Sequence, residues 1–201
     1  MAFSEFTLES VERSLGIRTQ EANLFPNRPS VTMPDWLPGW LARGTRLALL
    51  SEKSRSEFIV VPILLAAREL SQERLAIYSG QRLDVDPERG LTGECDFLLA
   101  LGPAIPPLRS PIAAVVEAKK NDVEAGLGQC IAQMVAARQF NAISKGNDAS
   151  IYGCVTSGES WQFLRLVGTI AVLDERRYYV DDVTSILAAL MTIVRDSDVD
   201  R

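Results

Sequence analysis

The 201-residue sequence contains no histidine. This absence excludes catalytic sites that need an imidazole, such as Ser-His-Asp and Cys-His arrangements, and nucleases that use histidine as the general base. It also excludes zinc sites that depend on histidine ligands. Chemistry in this chain must therefore come from carboxylates, from lysine, or from a metal ion held by oxygen ligands.

Cysteine is scarce as well. Cys95, Cys130 and Cys154 are far apart, odd in number and surrounded by apolar residues. No pair of them has the spacing of zinc ligands. We expect buried, reduced thiols in a cytoplasmic protein and no disulfide framework.

Long apolar segments are missing too. The longest uncharged apolar run, residues 58–67, is too short to span a bilayer and contains Pro62. The N-terminal residues show no basic region followed by an apolar one, so we expect no secretory signal. The sequence therefore predicts no membrane partner.

An excess of positive charge is the fourth absence. The formal net charge is −5 and the pI is about 4.9, so the chain lacks a strongly basic field for non-specific nucleic-acid binding. A local basic groove, or a partner that supplies one, stays open. The 47% apolar and 23% charged residues are typical of a globular protein with a core of ordinary size.

The sequence predicts three regions. Residues 1–45 are weakly patterned and interrupted by prolines, so we expect a strap packed on the core or at a dimer interface, with Trp36 and Trp40 exposed. Residues 46–196 form the main domain. Residues 197–201 form a frayed tail.

Hydrophobic periodicity and turn signals predict the order of helices and strands within these regions. A helix is expected over 45–71, capped by Ser51 or Ser54 and kinked or broken at Pro62. Further helices are expected over 121–140 and 182–195. Strands are expected over 75–78, 81–85, 95–101, 112–118, 151–156, 161–167, 169–173 and 178–180. A run of strands followed by a crossover helix predicts an α/β fold with a mixed central sheet flanked by helices.

Two of the predicted strands carry charged residues. Asp96 lies in one, and Glu117 and Lys119 lie on one face at the end of the next, with Ala118 on the other face. Neighbouring buried carboxylates repel each other, and Mg²⁺ relieves this because it prefers oxygen ligands. The pattern predicts a metal site formed by Asp96, Glu117 and the backbone carbonyl of Ala118.

Such a site suits phosphodiester hydrolysis. A bound metal ion lowers the pKa of a water molecule, and Lys119 can orient that water or neutralise developing charge. The alternative is that Asp96 is a turn residue and that Glu117 and Lys119 form an exposed ion pair at a strand end. The sequence leaves both interpretations open at this point.

The pattern Gly93-Glu94-Cys95-Asp96, a loop, then Val116-Glu117-Ala118-Lys119 resembles the PD-(D/E)XK nuclease superfamily. Restriction endonucleases, Holliday-junction resolvases and the N-terminal nuclease domains of type I restriction motor subunits share it. The chain looks most similar to compact stand-alone members that are widespread in cyanobacteria. The resemblance implies a restriction-endonuclease-like three-layer sandwich, a Mg or Mn cofactor and DNA as the partner. It also implies that Asp96 and Glu117 ligate the metal while Lys119 serves the nucleophilic water.

Three further segments extend the resemblance over roughly residues 50–170. Glu52, followed by Pro62-Ile63-Leu64, resembles a first-helix motif; residues 126–129, which end in Gln129, resemble a glutamine motif; and residues 155–163 resemble the strand-turn-strand that follows. The resemblance implies that a first-helix glutamate supports the metal site. Glu52 has the better spacing and Glu57 is the alternative, because residues five apart on an α-helix point about 140° from each other.

The sequence also departs from the family. Cys95 precedes Asp96 where an acid or a proline is common, and these 201 residues contain no helix-turn-helix or zinc-finger signature, so we expect no appended DNA-recognition domain. Two functions are therefore kept: a Mg-dependent nuclease, and a catalytically silent nuclease-fold protein that acts as a nucleic-acid-binding or assembly module. A homodimer is expected because cutting two strands with one site per chain favours pairing, and an unidentified protein partner could supply recognition.

Overall fold

The computed structural model describes residues 2–48, 51–109, 111–119, 122–145 and 150–199. Within these ranges, seven strands form one mixed sheet in the order β1-β7-β6-β5-β4-β3-β2. Helices pack on both faces of the sheet, which confirms the predicted α/β three-layer sandwich.

The strands follow one another along the chain as β1 to β7. They are β1 (Arg18–Ala22), β2 (Leu75–Arg82), β3 (Glu94–Leu101), β4 (Ile112–Ala118), β5 (Ile151–Thr156), β6 (Ser160–Val167) and β7 (Ile170–Tyr179).

The helices are numbered in the same way. They are α1 (Leu8–Leu15), α2 (Trp36–Leu47), α3 (Glu52–Arg55), α4 (Val61–Leu70), α5 (Leu127–Lys145) and α6 (Val183–Val199). A π-helical turn, Ser56–Val60, joins α3 to α4. Short 3-10 turns cover Phe3–Glu5, Pro87–Arg89, Glu124–Gly126 and Val180–Asp182.

The topology brings the predicted site residues to one edge of the sheet. Strands β4 and β5 are parallel and are connected through α5, whereas β3 runs antiparallel to β4. The start of β3 therefore lies beside the end of β4. Asp96 belongs to the first of these and Glu117 to the second.

Two hydrophobic cores enclose the sheet. One core packs α2, α4 and α6 against residues such as Phe97, Val116 and Trp161. The other packs α1 and α5 against residues such as Leu98, Val115 and Val155. The period-2 alternation of strand side chains divides neighbouring residues between the two cores.

The first 45 residues contain more regular structure than the predicted strap. They supply α1, the edge strand β1 and most of α2. Strand β1 pairs in parallel with β7, but its residues, Arg-Thr-Gln-Glu-Ala, are almost all exposed. A strand without an apolar alternation has no signal in the sequence, because its pairing depends on the neighbouring strand.

The helix predicted over 45–71 is two separate pieces. Helix α2 ends at Leu47 and α3 begins at Glu52, whose N-cap Ser51 forms a reciprocal capping box with Ser54; residues 49 and 50 lie outside the described part. The sequence predicted a kink or a break at Pro62. The structure instead places the π-helical turn just before this residue, which lacks a backbone N–H.

Two pairs of predicted strands are single strands. Gly80 adopts a positive φ of 62°, yet Ser79 and Gln81 on either side stay in register with β3, so β2 is continuous through the predicted turn. Strand β7 (Ile170–Tyr179) covers most of the two strands predicted over 169–173 and 178–180, and its register against β6 shifts between them. Helix α6 extends to Val199, so 197–199 are helical and not frayed, and residues 200 and 201 lie outside the described ranges.

Candidate active site

Asp96 lies where β3 separates from β4. The ladder between these strands ends at the pair Phe97 and Val116. Beyond it, the Asp96 carboxylate oxygen Oδ2 accepts a hydrogen bond from the backbone N–H of Ala118 at 2.7 Å. The side chain thus takes the place of a backbone acceptor and is held beside Glu117.

The strand is irregular at this point. A regular strand would place Cys95, Phe97 and Leu99 on the same face, but β3 does not. Cys95 packs in the core under α5, whereas Phe97 and Leu99 pack in the opposite core. The change of face between residues 95 and 97 places Asp96 next to the end of β4.

Glu117 and Lys119 form a buried pair that α5 completes. Lys119 Nζ donates to Glu117 Oε1 at 2.7 Å and to Gln129 Oε1 at 2.9 Å, while Gln133 Nε2 donates to Glu117 Oε2 at 2.8 Å. The Glu117 side chain is only 3% exposed and that of Lys119 is 23% exposed. The alternative of an exposed ion pair at a strand end is therefore wrong.

The backbone holds Lys119 in place. Its N–H donates to the carbonyl of Thr156 on β5 at 2.7 Å. A Cβ added to Gly126 would lie 3.1 Å from Lys119 Cγ and 2.6 Å from Val155 Cγ1. The glycine therefore lets the turn before α5 lie directly on the lysine side chain.

The carbonyl of Ala118 points toward Asp96. In a β-strand the N–H and C=O of one residue point to the same side, and successive residues alternate. Lys119 directs its N–H toward β5, and Ala118 directs its N–H toward Asp96. The Ala118 carbonyl therefore also lies on the β3 side, and its role as a metal ligand stays a prediction.

Burial and mutual repulsion govern the ionisation of the two carboxyl groups. Burial, followed by the charge of Asp96, raises the pKa of Glu117 to about 7, although Lys119 and Gln133 oppose this. Burial also raises the pKa of Asp96 against the effect of the Ala118 hydrogen bond. Burial alone would lower the pKa of Lys119, but the Glu117 carboxylate outweighs it and raises that pKa, so the lysine stays protonated.

A cleft of about 340 Å³ opens beside Asp96, and both first-helix glutamates line it. The choice between Glu52 and Glu57 as the glutamate that supports the metal site stays a prediction. Glu52 belongs to α3, and Glu57 to the π-helical turn that follows it. Glu52 is electrostatically nearer, because its charge helps to raise the pKa of Asp96 and that of Lys119. Glu57 instead forms an ion pair with the exposed Lys53, in which Lys53 Nζ lies 3.9 Å from Glu57 Oε1.

The donor atoms at this edge suit a hard divalent cation. Asp96, Glu117 and the Ala118 carbonyl present oxygen atoms, which Mg²⁺ and Mn²⁺ prefer. The buried amide oxygen of Gln133, next to Glu117, has no hydrogen-bond partner. Among the described residues, however, no three Asp, Glu, Cys or His side chains are grouped so that they could hold a metal ion.

The sequence did not single out every residue of the cleft. Glu94 and Lys53 also line it. Nothing in the sequence marks these two residues as part of a site, because an exposed charged residue at the start of a strand or helix is common on any protein surface. Gln133 lies one turn after Gln129 on the same face of α5, and the packing of α5 on the sheet brings it into contact with Glu117.

A comparison of the chain with protein-family models and with curated proteins found no match. Among the described residues, no helix is both long and apolar enough to cross a membrane. The fold and the site define an α/β protein with a cluster of two carboxylates and one lysine at the edge of a mixed sheet. Any closer assignment depends on the residues themselves and on their geometry.

Proposed function

We propose that this protein is a Mg²⁺- or Mn²⁺-dependent nuclease of the PD-(D/E)XK type that hydrolyses phosphodiester bonds in DNA. One observation carries the proposal. The Lys119 ammonium group is held between Glu117 and Gln129, beside Asp96, at a single edge of the sheet.

The proposed ion would be held by Asp96, Glu117 and the carbonyl of Ala118, with Glu52 close by. When bound, a divalent ion lowers the pKa of a water ligand and stabilises negative charge on phosphoryl oxygens. The cleft itself is acidic, with Glu52, Glu57, Glu94 and Asp96 against Lys53. A phosphate group is repelled from such a cleft unless cations neutralise it, so we expect a strict requirement for divalent metal.

Lys119 has a donor left for the substrate. An ammonium group has three N–H donors, and Glu117 and Gln129 accept two of them. The third can donate to an attacking water or to a phosphate oxygen. Because the other two bonds fix its position, the group is oriented before the substrate arrives.

The first test is nicking of supercoiled plasmid in the presence of Mg²⁺ or Mn²⁺. We expect Lys119→Ala to lower the nicking rate at least about 100-fold, the usual effect of removing a preorganised donor. Arg18→Ala is the control, because this exposed basic residue lies on β1, at the opposite edge of the sheet, and does not line the cleft. Equal nicking by wild type and Lys119→Ala would contradict the catalytic assignment.

One observation favours a second function, a catalytically silent nucleic-acid-binding or assembly module. Both carboxylate oxygens of Glu117 already accept hydrogen bonds, from Lys119 and from Gln133. Calorimetry with Mn²⁺ separates the possibilities. Heat of binding that Asp96→Ala abolishes supports the metal site. If such binding is found without cleavage of any DNA or RNA, the silent module is correct, and the absence of heat with wild type would contradict the metal site altogether.

We also propose that the protein is cytoplasmic and works as a homodimer. Three buried free thiols suit a reducing compartment, and two chains would bring two sites to the two strands of a duplex. A protein partner that supplies sequence recognition is the other expected association. Sedimentation velocity of the purified chain tests whether the homodimer forms.

A further inference from the structure

Helix α2 carries an exposed stripe of aromatic and basic side chains. Trp36, Trp40, Arg43 and Leu47 follow the spacing i, i+4, i+7 and i+11, which places them on one face of the helix. Trp36 is 40% exposed and Trp40 is 49% exposed. We call these four residues the α2 stripe. The adjoining face of the helix is buried and holds Leu37, Leu41, Gly44 and Ala48.

The α2 stripe borders α4. Trp36 Nε1 donates to Glu69 Oε2 at 2.8 Å, near the end of α4. At the other end of α2, a Cβ added to Gly44 would lie 2.3 Å from the carbonyl oxygen of Phe58. The two helices are thus antiparallel neighbours, and this spacing brings Trp40 to the level of Leu65, which is 46% exposed.

The surface continues from the α2 stripe to the candidate active site. Val61 and Glu57 lie one and two turns before Leu65 on the α3–α4 segment. Both of them line the cleft that contains Asp96. A chain bound along Trp40 and Leu65 would therefore be directed into this cleft.

The charge of α2 is opposite to that of the cleft. Its only charged residues are Arg43 and Arg46, and it has no acidic residue. Both arginines are exposed. In contrast, Arg177 on β7 forms an ion pair with Glu124 at 2.7 Å. Helix α2 thus presents two indole rings beside two positive charges.

We propose that the α2 stripe binds single-stranded nucleic acid, with bases stacked on Trp36 and Trp40 and backbone phosphates at Arg43 and Arg46. Bases of a single strand are free to stack on aromatic side chains, and arginine adds attraction for the backbone. Bases inside a duplex are not accessible in this way. The role of this surface in guiding a strand to the cleft rests on the proposed nuclease function.

The observations favour this ligand over a second copy of the chain. A twofold interface would place the same surface on both subunits. Arg43 and Arg46 of the two copies would then face each other without an acidic partner on α2. Like charges in such an interface are unfavourable, whereas a phosphate backbone neutralises them.

The test measures the fluorescence anisotropy of a labelled oligothymidylate in EDTA, so that binding is separated from cleavage. We expect the wild-type protein to bind the single strand more tightly than a duplex of the same length. Trp40→Ala should weaken binding about tenfold, as loss of one stacked base does. Trp40→Phe should keep most of the affinity, because phenylalanine can still stack. Arg43→Gln should reduce the dependence of affinity on salt concentration, as loss of one phosphate contact does.

Two control variants match these substitutions. Ile143→Ala removes a side chain that is 80% exposed on α5, and Arg18→Gln removes an exposed arginine on β1. Neither should change binding. Unchanged affinity in Trp40→Ala, or equal binding of single strand and duplex, overturns the proposal. Loss of self-association in Trp40→Ala with unchanged oligonucleotide binding also overturns it and identifies an interface between copies.

The same variants separate this inference from the nuclease proposal. If the wild type cleaves DNA with Mg²⁺ and Trp40→Ala binds and cleaves equally well, the nuclease stands and the α2 stripe has no such role. If Trp40→Ala loses oligonucleotide binding while the wild type cleaves nothing, the binding surface stands and the nuclease does not.

Discussion

Glu117 shows at the scale of one residue how a buried charge is accommodated. Its two carboxylate oxygens accept hydrogen bonds from Lys119, two residues along the strand, and from Gln133, on the helix that follows. An isolated carboxylate at this depth would be costly, and two charge-assisted hydrogen bonds offset that cost. The strand and the helix must therefore pack together for the pair to exist.

Gly126 provides a prediction at the same scale. A Cβ at this position would lie 2.6 Å from Val155 Cγ1 and 3.1 Å from Lys119 Cγ. Since Val155 is buried in the core, the turn before α5 would have to move. We expect Gly126→Ala to lower the free energy of unfolding by about 1–3 kcal/mol and to lower nicking activity by displacing Lys119. Urea denaturation and the plasmid assay measure the two effects.

Gly39 is the control for that substitution. It lies within α2, and a Cβ added there would meet no atom within 4 Å. Gly39→Ala should leave stability unchanged or raise it by about 0.5–1 kcal/mol, because alanine favours a helix. If Gly126→Ala and Gly39→Ala unfold at the same urea concentration, the close packing at Gly126 does not contribute to stability.

The segment from α3 to α4 shows at the scale of elements how one cleft wall is formed. Glu52, on α3, and Glu57, in the π-helical turn, both line the cleft beside Asp96. Arg55, between them, donates to the carbonyl of Ser157 at 3.1 Å and so ties the segment to the turn after β5. The position of the first-helix glutamates thus depends on how this segment packs beside the sheet, which no local periodicity describes.

The segment between β1 and α2 provides a prediction at this scale. Phe25 is 3% exposed, and its ring lies 5.5 Å from that of Phe163 in an edge-to-face arrangement and 6.1 Å from that of Tyr152. Phe25→Ala should therefore lower the free energy of unfolding by about 3–5 kcal/mol. Chemical denaturation followed by circular dichroism checks this value.

Ile143→Ala is the matched apolar truncation, because this side chain is 80% exposed. It should change stability by less than about 0.5 kcal/mol. A Phe25→Ala variant as stable as Ile143→Ala would show that the N-terminal residues are only a loosely attached strap.

At the scale of the whole molecule, one sheet is shared by both hydrophobic cores. Both hydrophobic cores use opposite faces of the same strands, so neither core can open without disturbing the other. Unfolding of such an arrangement is expected to be cooperative. The three thiols are divided between the two cores, with Cys95 and Cys130 in one core and Cys154 in the other.

Thiol labelling tests this cooperativity. Burial raises the pKa of all three cysteine thiols, and only the thiolate reacts. The native protein should therefore react negligibly with an aromatic disulfide reagent at mildly alkaline pH. All three thiols should become reactive together at the urea concentration that unfolds the chain. Rapid labelling of one cysteine in the native protein would show that its core opens separately.

Strands β1, β2 and β7 show where prediction from the sequence fails at this scale. Strand β1 is nearly all exposed and polar, so only its pairing with β7 makes it a strand. The breaks predicted between the strands at 78–81 and at 173–178 were wrong. Pairing with β3 holds Ser79 and Gln81 in register on either side of Gly80, and β7 continues through a register shift against β6. Local turn preference is weaker than a continuous ladder of backbone hydrogen bonds.

The α/β class, the two core strands β3 and β4, and the positions of Asp96, Glu117 and Lys119 at their ends can all be predicted from the sequence. These features follow from the period of apolar residues and from charges placed beside them, which are local properties of the chain. Three contacts cannot be predicted in this way: Asp96 bonds to Ala118, Gln129 and Gln133 complete the Glu117–Lys119 pair, and Glu52 and Glu57 share one cleft. Each of these contacts joins residues from separate elements, and their geometry is set by how the sheet and its helices pack.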